Sequence, residues 1–153
     1  MKANLNRRKF LGAAIATGAA ATLPSISNEK KSYSSETLVT QLYKSLTEKQ
    51  KSVICFEFDH KLRLAVDDNW HITKLRLGNS YKPDQQALVK EIFMGLHSEK
   101  YAKTVYDQVV HDSGQAGFGD SSIAIFGKPG TGKFEFVLTG RHCTRRYDGD
   151  SVD

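Results

Sequence analysis

Two β-prone apolar runs, Ser122-Ile123-Ala124-Ile125-Phe126 and Phe134-Glu135-Phe136-Val137-Leu138-Thr139, stand on either side of Gly127-Lys128-Pro129-Gly130-Thr131-Gly132. No other stretch restricts the fold as tightly. Aromatic and β-branched side chains suit a pleated, buried surface, and Pro-Gly supplies the dihedrals of a tight turn, so the pattern predicts an antiparallel hairpin. With Lys133 the loop also has the glycine and lysine spacing of a phosphate-cradling loop. That loop works only where it opens a helix whose first amides face the phosphates, with a Ser or Thr after the lysine to hold magnesium. Here Phe134 follows the lysine and begins a strand-like run. The chain is therefore not read as a P-loop NTPase.

Upstream of the hairpin the pattern is mostly helical. Leu38, Val39, Leu42, Tyr43 and Leu46 recur at the spacing of one buried helix face. Thr47-Glu48-Lys49-Gln50 has the form of a capping box that opens a second helix, expected to run into Val53-Ile54-Cys55-Phe56. Pro83 fits the first turn of a third helix, with Leu88, Val89, Ile92, Phe93 and Leu96 as its stripe. Ser98 is a cap for a fourth, which buries Tyr101, Ala102, Val105, Tyr106 and Val109. Between the second and third helices, Lys61–Val66 and Trp70–Ile72 alternate around Asp67-Asp68-Asn69, which predicts two strands and a polar turn. Leu75 and Leu77 extend that reading to Gly78, and a glycine-rich connection is expected over 114–119. The expected fold is α+β, with helices packed on a small, mainly antiparallel sheet.

The start of the chain has a different character. Residues 1–23 run from a basic head into an uncharged, Ala-rich stretch of 13 residues, Leu11 to Leu23, with Ala19 and Ala21 in an A-x-A arrangement. This is the layout of an export signal. It is too short for a membrane span, which needs about 20 apolar residues, so no stable membrane anchor is expected. Asn6-Arg7-Arg8-Lys9-Phe10-Leu11 resembles the twin-arginine signal, with Arg7, Arg8, Phe10 and Leu11 as its recognition residues. The implied partner is the twin-arginine export machinery, and the implied location is periplasmic or extracellular. Residues 24–36 are polar and Ser-rich and read as a linker, which leaves 37–153 as a single domain.

Export also resolves the charge. The whole chain carries +5, yet four of its 22 bases (Lys2, Arg7, Arg8 and Lys9) and none of its 17 acids lie in the signal. The remaining 18 bases nearly balance the acids, so a nucleic-acid partner loses the clustered cationic face it would need.

Candidate chemistry is sparse. The histidines are His60, His71, His97, His111 and His142, and none stands in a C-x-x-C, H-x-x-x-H or H-E-x-x-H spacing. The best metal candidates are His142, beside Cys143 at a strand end, joined in space by His111, Asp112 or Asp120. His111-Asp112-Ser113 cannot form a hydrolytic relay as sequence neighbours. Trp70 with His71 is read as core before pocket lining, and Asp67-Asp68 as turn formers. Cys55 and Cys143 are read as free thiols, with pairing in an oxidising compartment as the alternative.

Together with the twin-arginine start and the Trp70 segment, three stretches, LTEKQKSVICFEFDH, RLGNSYKPDQQALVKEIF and SIAIFGKPGTGKFEFVLTGRH, resemble the bacterial family called domain of unknown function 3500. The family has no assigned reaction, so the resemblance implies no catalytic residue and no cofactor. It does imply a longer chain, in which the strand ending at Gly-Arg-His leads into further strands, and by that measure this sequence is a truncated member. Two functional classes stay open: a binding module, and a metal- or cofactor-dependent periplasmic enzyme.

Overall fold

The computed structural model describes residues 34–149. The export signal, with Arg7, Arg8, Phe10 and Leu11, lies outside them. The described residues fall within one compact unit with an α+β fold.

Helix α1 (Ser35–Ser45) is capped by the Ser34 hydroxyl and buries Leu38, Val39 and Leu42. The expected capping box is present: Thr47 and Gln50 satisfy each other's backbone amides at the start of α2 (Glu48–Ile54). The second helix ends earlier than its apolar run suggests, because Cys55–Phe56 turns extended and becomes strand β1. A single turn, α3 (Leu77–Ser80), precedes α4 (Pro83–Gly95), with proline in its first turn, and α5 (Glu99–Asp112). The glycine-rich connection winds as a 3-10 segment over Gly114–Asp120.

The hairpin forms as its sequence dictates. Strand β2 (Ser122–Gly127) pairs antiparallel with β3 (Phe134–Gly140), Gly127 opposite Phe134. Within the connection Thr131 N–H bonds to the Lys128 carbonyl at 3.2 Å, and Gly130 holds φ 81°. With Pro129 before it, this is a type II turn, in which a side chain at Gly130 would be strained. The segment after the lysine is thus a strand, and no helix begins there.

A further strand, β4 (Cys143–Gly149), completes the sheet in the order β1-β2-β3-β4, with β1 parallel to β2 and the other pairings antiparallel. Both faces of the hairpin are covered, which explains why β3 is buried at every position. On one face Ile123, Ile125, Phe134, Phe136 and Leu138 pack against the helices through Leu42, Ile54, Ile92, Phe93 and Val109. On the other, Ala124, Phe126 and Val137 meet Phe56, Leu62, Trp70 and Ile72.

That second cover corrects the reading of 61–72 as two strands. Lys61–Leu64 is a 3-10 turn, and residues 65–76 follow without joining the sheet. The reason is the nature of their hydrogen-bond partners. Arg146 of β4 donates to the backbone carbonyls of Arg63 (2.6 Å) and Ala65 (2.7 Å), the place a neighbouring strand would take. Further along, Ile72 N–H donates to the Thr139 hydroxyl, Thr73 donates to the Ile123 carbonyl, and the Trp70 indole donates to Thr144. The segment lies flat on the sheet, held by side-chain bonds that run in both directions.

The thiols are separate. Cys55, Ile125, Phe136 and Tyr147 lie in line across the four strands, so Cys55 is three strand spacings, about 14 Å, from β4. Cys143 is four residues further along β4, far beyond disulfide reach, and both cysteines are free. Burial pushes the Cys55 thiol from 9.0 up to about 11 and raises Cys143 as well. Only the thiolate attacks, so at pH 8 Cys55 should react with a disulfide reagent about a hundredfold more slowly than in the urea-denatured chain. Equal rates in a stopped-flow assay would show that the site opens freely.

Candidate functional site

At the end of the sheet where β3 turns into β4, polar side chains from separate parts of the chain come together. Gly140 pairs with Cys143, so Arg141 and His142 make a two-residue turn. His142 takes φ 55°, a left-handed conformation that costs an ordinary side chain about 1 kcal/mol or more. Across from it, Asn69 takes φ 47°, and among the described residues these are the two non-glycines with positive φ. They touch: the His142 N–H donates to Asn69 Oδ1 at 3.3 Å. Asparagine and histidine are among the non-glycine residues that enter this conformation most readily, and at His142 the tight turn itself calls for it.

Asp120 arrives from a third direction. The Leu77 N–H bonds to the Ser121 carbonyl at 2.9 Å, and a Cβ on Gly119 would stand 3.2 Å from the Gly78 Cα. Two backbones therefore meet without side chains between them, and Asp120 is delivered beside the 71–76 segment. Its Oδ2 lies 3.3 Å from His71 Nε2 and its Oδ1 lies 3.9 Å from Arg76 Nε. Asn69, His71, Asp120 and Arg141 line an open recess of about 320 Å³.

The metal candidates come together only in part. His142 and His111 both face Asp112, with Nδ1 to carboxylate distances of 3.7 and 3.4 Å, while Asp120 is turned to His71 and Arg76. Among the described residues no three His, Cys, Asp or Glu side chains are grouped to hold a metal ion. The Asp112 carboxyl is raised by desolvation, but hydrogen bonds from His111 and Gln108 and the nearby His142 outweigh this and hold it below the usual carboxylate range. His142 itself sits in the turn just before β4, and the neighbouring Cys143 points into the core. The triad types His111, Asp112 and Ser113 stay a run of neighbours at the end of α5.

Of the recess residues, the sequence offers Asp120 as a metal candidate and His71 as pocket lining only after core, while Asn69 and Arg141 carry no site signal of their own. The signal nearby was weak: a polar triplet ending in Asn69, and a histidine directly after a core tryptophan. His97, by contrast, serves the fold. Its Nδ1 lies 2.8 Å from the Phe93 carbonyl and its Nε2 accepts from Arg145 Nε at 3.0 Å, which fixes one tautomer.

No family model, no curated protein and no solved structure matches the chain. The resemblance to the family of unknown function rests on its quoted motifs alone. Among the described residues no helix is long and apolar enough to cross a membrane.

Proposed function

We propose that the chain is a ligand-binding module, carried out of the cytoplasm by the twin-arginine pathway, that meets a small polar molecule in the Asn69/His71/Asp120/Arg141 recess. One observation carries the binding half of this reading. The two left-handed non-glycine residues touch each other at the rim of that recess, and backbone strain of this kind persists where a site needs its geometry held. The walls also come from three separate parts of the chain, so the recess exists only in the folded protein. A module of this kind suits a pathway that exports folded cargo.

Two experiments test the two halves. Fused ahead of a reporter, the intact chain should deliver it outside the cytoplasm, and Arg7→Lys with Arg8→Lys should stop that delivery. Delivery unchanged in the double variant, or in cells without the twin-arginine translocase, would contradict the export route. For binding, a mixed set of neutral, anionic and aromatic fragments should shift backbone amide resonances around 69–71, 120 and 141. Shifts clustering instead around Tyr43, Phe56 and Phe58, which line a second groove, would move the site to the β1 edge.

A further inference from the structure

The recess has a definite charge and a definite hydrogen-bonding pattern, and together they select a ligand. Its one carboxylate, Asp120, is already engaged by His71 and approached by Arg76. Arg141 has no carboxylate within ion-pair distance among the described residues, yet it lines the recess on an exposed turn. An exposed guanidinium with five donors and no ion-pair partner among the described residues can take an oxyanion, which it binds in a planar, forked manner. Asn69 accepts from His142 N–H through its Oδ1, so its amide nitrogen keeps both donors for the same anion.

His71 adds a finer requirement. Its Nε2 faces the Asp120 carboxylate at 3.3 Å, and a carboxylate accepts, so the proton of neutral His71 belongs on Nε2. Nδ1 is then left as an acceptor. An acceptor beside an anion site is repelled by a bare carboxylate oxygen but satisfied by a ligand hydroxyl.

Resting on the binding role proposed above, we infer that the recess takes a small oxyanion that carries its own hydroxyl group, such as an α-hydroxycarboxylate. Arg141 and Asn69 hold the charged end, and His71, oriented by Asp120, accepts from the hydroxyl. Inorganic hydrogen phosphate, which also bears an O–H, presents the same chemistry in a rounder shape.

The test compares glycolate, acetate, inorganic phosphate and neutral ethylene glycol by amide shift titration on the folded protein. Glycolate should bind more tightly than acetate, and ethylene glycol should bind weakest. Arg141→Gln, a change on an exposed turn, should weaken both carboxylates about tenfold or more, with the melting temperature unchanged. His71→Gln should erase the preference for glycolate over acetate and leave acetate binding in place. Phosphate binding above glycolate would keep the hydroxylated oxyanion and favour the phosphate shape. Wild-type affinity in Arg141→Gln, or ethylene glycol binding as well as glycolate, would overturn the inference while the recess remained the site. Recess amides unmoved by any of the four at millimolar concentration would remove the inference and the binding role together.

Discussion

Arg146→Ala is expected to lower the unfolding free energy by about 3 kcal/mol or more. Glu135 is 4% exposed on the sheet face away from the helices. Its carboxylate is neutralised by Arg146 Nη1 on one oxygen and by Arg63 Nη1 at 3.2 Å on the other. The alanine variant leaves this charge with a single arginine, and it also strips the carbonyls of Arg63 and Ala65 of the donors they use in place of a strand. Removing one member of a buried ionic group costs far more than the group contributes in total, because the survivors stay desolvated. The urea midpoint should therefore fall with the slope nearly unchanged. A triple variant, Glu135→Leu with Arg63→Leu and Arg146→Met, should recover much of the loss. A loss below about 1 kcal/mol in Arg146→Ala would mean that water replaces the guanidinium at little cost.

The second large effect is expected at Gln85, which is fully buried. Gln85 Oε1 accepts from the Lys82 N–H at 3.0 Å, and Gln50 Oε1 accepts from the Thr47 N–H at 2.9 Å, so each amide closes the start of its own helix. The two amides then bond to each other in both directions, and their remaining donors reach the Ser45 and Ser80 carbonyls. Every donor of both side chains is used. Gln85→Ala should cost about 3 kcal/mol, combining a cavity with several polar groups left unpaired. Gln50→Leu combined with Gln85→Leu should cost clearly less than the sum of the single changes, because each single change orphans the other amide. Additive losses would show that the two amides act independently.

The same residues show what the sequence could reveal. The capping box of α2 was legible because its two members lie three residues apart, but the partnership with Gln85 spans 35 positions and has no local trace. The hairpin was legible because Pro129-Gly130 and its flanking apolar runs are contiguous. Strand β4 was hidden because Cys143-Thr144-Arg145-Arg146-Tyr147-Asp148 looks like a solvated stretch. Its polar side chains are nonetheless held across the sheet: Thr144 by Trp70, Arg145 by His97 and Arg146 by Glu135. Lys61–Val66 misled in the opposite sense. It alternates like a strand, yet Leu64 and Val66 are 75% and 77% exposed while Leu62 alone packs onto the sheet. The recess was least legible, since His71, Asp120 and Arg141 come from three distant segments with no spacing rule to link them.

If the left-handed turn at His142 is kept for the recess beside it, as proposed above, His142→Gly should change both stability and glycolate affinity. Glycine adopts φ 55° without a steric penalty, so the account predicts an unfolding free energy higher by about 1 kcal/mol, with the exposed contact to Asp112 a minor loss. It also predicts glycolate binding weaker by about threefold or more, since a looser turn no longer holds Arg141 in place. A variant that gains stability and binds glycolate as well as the parent would contradict the claim and leave the strained histidine without a function.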